Sequence, residues 1–184
     1  MKVRNLGIEG LWLLTLPVST DTRGYFREWF KAIEIEQQIG RKFETLQANI
    51  SSSNLGVLRG MHFSLGPECQ DKLVTCISGA MWDVVVDLRK DSPTFRKWVG
   101  TSLSYKKGDV LFISSGLGHG FQSLENNTVV TYLTTSTYCP DVEYELNPFD
   151  PEIAISWPLK KSILSKRDSL APSLKDLHQA GLLP

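Results

Sequence analysis

Charge of one sign is what this sequence most plainly lacks: across 184 residues, twenty Lys and Arg balance twenty Asp and Glu. Without a basic field nothing recruits nucleic acid or an anionic membrane surface, so any anionic ligand must be held by local charges. Long apolar runs are also missing. The run near the N-terminus, Leu11 to Leu16, falls far below the ~20 residues of a membrane span and carries no cleavage pattern, which predicts a cytoplasmic protein with no membrane partner. Cysteine is scarce. Cys69, Cys76 and Cys139 are odd in number and lack C-x-x-C spacing, which argues against a disulfide framework and a zinc site and for reduced, partly buried thiols.

What is present reads as one domain, since single domains commonly run to roughly 100–200 residues. From about Glu44 to Tyr138 short β-branched or aromatic runs alternate with Gly, Pro, Asn and Asp: "TLQANIS", "GVLRGMHF", "DKLVTCIS", "AMWDVVVDL", "KWVGTSLS", "DVLFISS", "GHGFQSL" and "VVTYLTTSTY". Strands at this spacing predict an all-β sandwich or barrel enclosing a cavity. Helices are expected only at the flanks. One is "FKAIEIEQQIG", Phe30 to Gly40, ending on a C-cap glycine; the other is "LKDLHQA", capped by Ser173.

The stretch "VLRGMHF", Val57 to Phe63, sets an Arg and a His three apart in an otherwise apolar strand. Residues three apart on a regular strand face opposite sides, so Arg59 and His62 reach one ligand only if Gly60 permits a twist or bulge. Arg59 suits a phosphate through its planar fork of donors. His62 and His119, in "GLGHGF", lie in apolar surroundings and read either as satisfied core imidazoles or as site residues. Ser64 stands where a His-x-His metal motif would need its second histidine, and nothing near His119 completes a three-ligand set, so no metal is expected. An imidazole, whose ordinary pKa is ~6.5, both takes and returns protons at neutral pH, which makes His62 a candidate proton acceptor.

Lys72 shares a strand face with Val74 and Cys76, an expensive position unless negative charge meets it, or else an edge lysine that blocks strand pairing. Tyr132 and Tyr138 share a face and would lie roughly 20 Å apart on one straight strand, so one could work at a reacting carbon while the other stacks on a distant ring. Trp82, Trp98 and the run Val84 to Val86 read as core, Asp83 and Asp87 as strand-end or supporting groups, and His178 as solvated surface.

Five words, in order, resemble the dTDP-4-dehydrorhamnose 3,5-epimerase family: "DTRGYFREWF" (Asp21 to Phe30), "QANISSSNLGVLRGMHF" (Gln47 to Phe63), "QDKLVTCISGAMWDVVVDLRKDSPTF" (Gln70 to Phe95), "GLGHGF" (Gly116 to Phe121) and "NPFDPEIAISWP" (Asn147 to Pro158). The resemblance covers nearly the whole chain. It implies a cupin-like jelly-roll β-barrel with short flanking helices, residues 1–184 forming a single domain: an N-terminal arm with dimer contacts (1–45), a barrel core (46–140), and C-terminal strands, loop and short helices (141–184). It also implies a homodimer, no metal or organic cofactor, and a dTDP-linked 4-keto-6-deoxy sugar epimerised at carbon 3, carbon 5 or both. By the same resemblance His62 is the base, oriented by Asp168; Lys72 stabilises the enolate; Tyr132 is the acid on the other face. Arg59 would hold the diphosphate with His119 near the sugar nucleotide, Tyr138 would meet the nucleoside, and Gln47, Asn49 and Glu143 would make further contacts. Arg23, Phe26 and Glu28 would reach into the partner's site.

The chain departs from the family at Ser64, where Gln is usual, at "SSGLGHGF", which lacks the usual Pro, and at "PFDP". Arg167, counted among the binding residues, stands where a Lys commonly precedes the catalytic Asp. A branch acting on one carbon of a modified deoxysugar would show the same His, Lys and Tyr, so the regiochemistry stays open. A metal-dependent cupin enzyme and a non-catalytic sugar-nucleotide binding protein are the competing readings of other classes.

Overall fold

The computed structural model describes residues 1–66 and 69–184. The chain opens with β1 (Lys2–Asn5), β2 (Leu11–Thr15), the short pair β3 (Ser19–Asp21) and β4 (Gly24–Phe26), and helix α1 (Ala32–Ile39). Eight strands follow: β5 (Gln47–Ser53), β6 (Leu58–Ser64), β7 (Lys72–Ser78), β8 (Ala80–Asp87), β9 (Trp98–Ser104), β10 (Asp109–Ile113), β11 (Leu117–Ser123) and β12 (Thr128–Thr134). Strand β13 (Glu143–Glu145) and helices α2 (Lys166–Ser169) and α3 (Leu174–Gln179) complete it.

Two antiparallel sheets face each other, one ordered β1-β2-β10-β7-β12-β5 and the other β13-β6-β11-β8-β9, while β3 and β4 form a separate hairpin. Strand alternation explains the layering. Leu11, Val74, Cys76, Leu111 and Val130 of the first sheet meet Met81, Val85, Leu103, Leu117 and Phe121 of the second in the central core. Their strand neighbours turn outward and are covered too. Leu14, Leu73, Val110, Phe112 and Leu133 pack under Ile35 of α1 and Phe43. Met61, Phe63, Val84 and Val86 pack under Leu146, Ile153, Leu174 and Leu177 of the C-terminal segment. Because both faces of β8 are covered, its run from Val84 to Val86 is continuously apolar. Trp82 and Trp98 pack, partly buried, against this outer layer, and His178 is exposed.

Each strand expected between Glu44 and Tyr138 forms, but the last of them, β12, stops at Thr134, four residues short of the expected end. Helix α1 begins two residues inside the expected Phe30, behind Lys31, which makes no side-chain cap, and it ends on Gly40 at φ 76°. Ser173 caps α3 in a reciprocal capping box with Asp176. The N-terminal segment holds more barrel than the sequence reading placed there. β1 pairs with β2, and β2 with β10; Leu11 and Leu14 are fully buried. After Thr15 only the β3–β4 hairpin stands off the sheets, since Leu16, Ile35 and Phe43 pack back onto the first of them.

Candidate active site

The β6–β11 ladder places His62 directly opposite His119, then matches Phe121 with Arg59, so β6 spends one more residue than β11 over the same interval. That bulge, centred on Gly60 at φ 119°, cancels the three-residue alternation and lets Arg59 and His62 line one cavity. The strands approach so closely that a Cβ on Gly60 would lie 2.6 Å from Gly120 Cα.

The cavity, about 250 Å³, is lined by both sheets: Arg59, His62, His119 and Phe121 from one, Ser51, Lys72, Val130 and Tyr132 from the other, with Ser165, Arg167 and Asp168 at its rim. A second lobe of about 220 Å³ shares His62, Lys72, Tyr132 and Arg167 and adds Gln47, Asn49, Gln70, Tyr138 and Glu143.

His62 Nε2 stands 2.6 Å from Asp168 Oδ1. Since an ionised carboxylate only accepts, Nε2 carries the proton. Ser165, the N-cap of α2, accepts from the Asp168 N–H at 3.0 Å and donates its hydroxyl to Asp168 Oδ2 at 2.9 Å. Burial pushes the Asp168 carboxyl up, but its bonds from His62, Ser165 and the Gly60 backbone outweigh that and hold it below the usual carboxylate range. His119 Nε2 meets Asp83 Oδ2 at 2.8 Å. Asp83 is fully buried, and among the described residues its other oxygen has no hydrogen-bond partner.

Lys72 lies on β7 between β10 and β12, so it is no edge lysine. Burial lowers its pKa, opposed by the charge of Glu143. Among the described residues no carboxylate comes within ion-pair distance of it. Burial raises the Tyr132 phenol, as does Glu143, against the lowering effect of Arg59. Arg59 is held by Ser53 Oγ at 3.1 Å and the Ser52 carbonyl at 3.2 Å.

The separation of roughly 20 Å expected for Tyr132 and Tyr138 on one straight strand does not arise. β12 ends at Thr134, the chain turns, and the Tyr138 N–H donates to Gln47 Oε1 at 2.8 Å. Both tyrosines therefore border the same lobe. Arg167 donates to the Tyr138 hydroxyl and the Glu143 carbonyl, each at 3.4 Å, and pairs with Glu145.

Arg23, Phe26 and Glu28 stay apart from this cavity. Arg23 and Phe26 sit at the β3–β4 hairpin, 88% (side chain) and 68% exposed, and Glu28 pairs with Lys31 beside α1. Ser51, Ser165 and Gln70 were not singled out by the sequence. Ser51 was legible in principle, two residues beyond Asn49 on the same strand face; Ser165 was legible in S-x-x-D before a helical turn. Among the described residues, no three His, Cys, Asp or Glu side chains converge as metal ligands, and no helix is long and apolar enough to cross a membrane.

A two-sheet, cupin-like fold with an imidazole–carboxylate pair, an ammonium and a phenol around one cavity suits the removal and return of a proton, and the relatives that match this chain place it among the isomerases that act on carbohydrate derivatives. The family model described as dTDP-4-dehydrorhamnose 3,5-epimerase matches residues 5–176, and the chain belongs to that family. It is 44% identical to a dTDP-4-dehydrorhamnose 3-epimerase of Streptomyces niveus, over all of this chain and 89% of that one. Among solved structures it superposes on the rmlC epimerase of Mycobacterium tuberculosis with TM-score 0.97 at 41% identity, covering 100% of this chain and 94% of that one. It likewise matches a 3'-monoepimerase of Streptomyces bikiniensis in complex with dTDP-quinovose, with TM-score 0.94 at 38% identity, over 97% and 91% of the two chains.

Proposed function

We propose that the protein epimerises a dTDP-linked 4-keto-6-deoxy sugar, with dTDP-4-dehydrorhamnose 3,5-epimerase as the main reading. The observation that carries this is an opposition: His62 projects from one sheet and Tyr132 from the other into one cavity, with Lys72 beside them. Inverting a carbon requires a proton to leave one face and return to the other. His62, with Nε2 tied to Asp168, takes the proton next to the ketone at Nδ1. The ketone becomes an enolate, whose oxygen Lys72 stabilises as a fixed cation in a site shielded from water. Tyr132 then delivers a proton to the opposite face, and the ketone re-forms.

Arg59 and Arg167 supply the local cations that a net-neutral chain needs for a diphosphate, and Tyr138 offers a face to the base. The protein acts as a homodimer, the hairpin bearing Arg23 and Phe26 closing the partner's cavity. Three free thiols suit a reducing compartment, the cytoplasm. A second reading, inversion at one carbon only, is favoured by relatives named 3-epimerase that match as well as those named 3,5-epimerase.

The test is incubation with dTDP-4-keto-6-deoxyglucose in heavy water, read by mass spectrometry and NMR. Deuterium at carbons 3 and 5 supports the main reading, deuterium at one carbon the second, and none at either overturns both.

A further inference from the structure

Gln122 is fully buried on β11, one residue beyond the cavity-lining Phe121, and strand alternation turns its carboxamide away from the cavity. Its side-chain hydrogen bonds all go to one segment. Nε2 donates to the Leu159 carbonyl at 3.0 Å and to Ser162 Oγ at 2.8 Å, and Oε1 accepts from the Leu159 N–H at 2.9 Å. The carboxamide thus takes both main-chain groups of Leu159, as the peptide of a neighbouring strand would.

Just downstream the segment is tied to the start of β6. The Ile163 N–H donates to the Gly56 carbonyl at 2.8 Å, and the Ile163 carbonyl accepts from the Leu58 N–H at 2.9 Å, forming a parallel bridge between Val57 and Ile163. The same segment then delivers Asp168, braced by Ser165, to His62. From Pro158 to Arg167 no side chain is buried, so apolar packing does not fix where this stretch lies. Its register rests on these polar anchors and on the Arg167 contacts with Tyr138 and Glu145; among the described residues Gln122 is the side chain that bonds both main-chain groups of Leu159.

We propose that Gln122 is a positioning residue for the proton-transfer step: it sets the register of residues 159–168 and, through it, the contact of Asp168 with His62. The inference rests on the reading of His62 as the base. Misplacement by about 1 Å of a group supporting the chemistry lowers a rate by as much as a hundredfold, so partial loss of the anchor should be visible in kcat.

The experiment is a double-mutant cycle on kcat for deuterium uptake from heavy water, comparing wild type, Gln122→Met, Asp168→Asn and the double variant, with unfolding temperature and dTDP binding checked for each. Gln122→Met is expected to lower kcat about tenfold alone and less than about twofold in the Asp168→Asn background, because its effect passes through Asp168. Equal factors in both backgrounds, or an unchanged kcat in the single variant, would overturn the positioning role while leaving the epimerase reading intact. No uptake by the wild-type protein would overturn that reading and this inference with it. If Gln122→Met does not fold, Ser162→Ala, which removes one of the three bonds and no apolar contact, takes its place in the cycle under the same criterion.

Discussion

His62 and His119 stand directly opposite each other in the β6–β11 ladder, and each presents its Nε2 to a buried carboxylate, at 2.6 Å to Asp168 and 2.8 Å to Asp83. The pairs differ in support, for Asp168 has both oxygens bonded whereas, among the described residues, Asp83 has one oxygen without a partner. Asp168→Asn should lower kcat about a hundredfold with little change in KM, since the amide no longer fixes the proton on Nε2 or steadies the imidazolium. Asp83→Asn should act mainly on KM, through His119. Steady-state kinetics separates the two, and an equal kcat loss in both variants would contradict the division of roles.

Asp87 gives the clearest pH dependence of stability. Burial pushes its carboxyl up, but bonds from Arg89, Ser92 and Thr94 outweigh it and hold the group below the usual range. A depressed folded pKa stabilises the protein fully above the unfolded value of about 4, and that contribution is lost as pH falls through the folded value. The unfolding temperature should therefore drop below about pH 4. Asp87→Asn should lose on the order of 3 kcal/mol at neutral pH, by stranding the Arg89 side of the network, and should show a shallower acid fall in a thermal scan.

Lys72 carries a stability–activity conflict. It is half-buried in the cavity wall and its pKa is lowered by burial, so the charge is held at a net cost to the fold. Lys72→Met should raise the unfolding temperature while lowering kcat by roughly a hundredfold or more. A calorimetric scan beside the uptake assay checks both signs, and a variant that loses both stability and activity would mean that the lysine is a structural element.

The hairpin makes a prediction about subunits. On the proposed dimer, chains bearing Arg23→Ala and Phe26→Ala keep the proposed base but lose the hairpin's contacts, whereas chains bearing His62→Ala keep those contacts but lose the base. Co-expressed, they should form mixed dimers with one complete site and recover about a quarter of wild-type activity, because half the dimers are mixed and each restores one site of two. No recovery would place the arm's action in its own chain.

Most of the strand pattern was legible because alternation records which face meets a core, and the Gly60 bulge followed from the need to bring Arg59 and His62 together. β2 was harder to read. Its run Leu11 to Leu16 lacks alternation because Leu11 faces the central core and Leu14 the layer under α1. Local pattern marks Asp168 only as the fourth residue of an S-x-x-D cap; its pairing with His62, 106 residues earlier, is joined to it only by the family resemblance. The bend between Tyr132 and Tyr138 was hidden too, because Thr-Thr-Ser-Thr continues a β-like composition past the point where pairing stops at Thr134.

The most direct test of the opposed base and acid is to run the heavy-water incubation on two variants and follow exchange and inversion separately. Tyr132→Phe should still exchange the proton beside the ketone, returned by His62 to the face it left, while inversion falls by a hundredfold or more; His62→Ala should lose exchange and inversion together. Inversion at an undiminished rate in Tyr132→Phe, or exchange persisting in His62→Ala, would contradict the account.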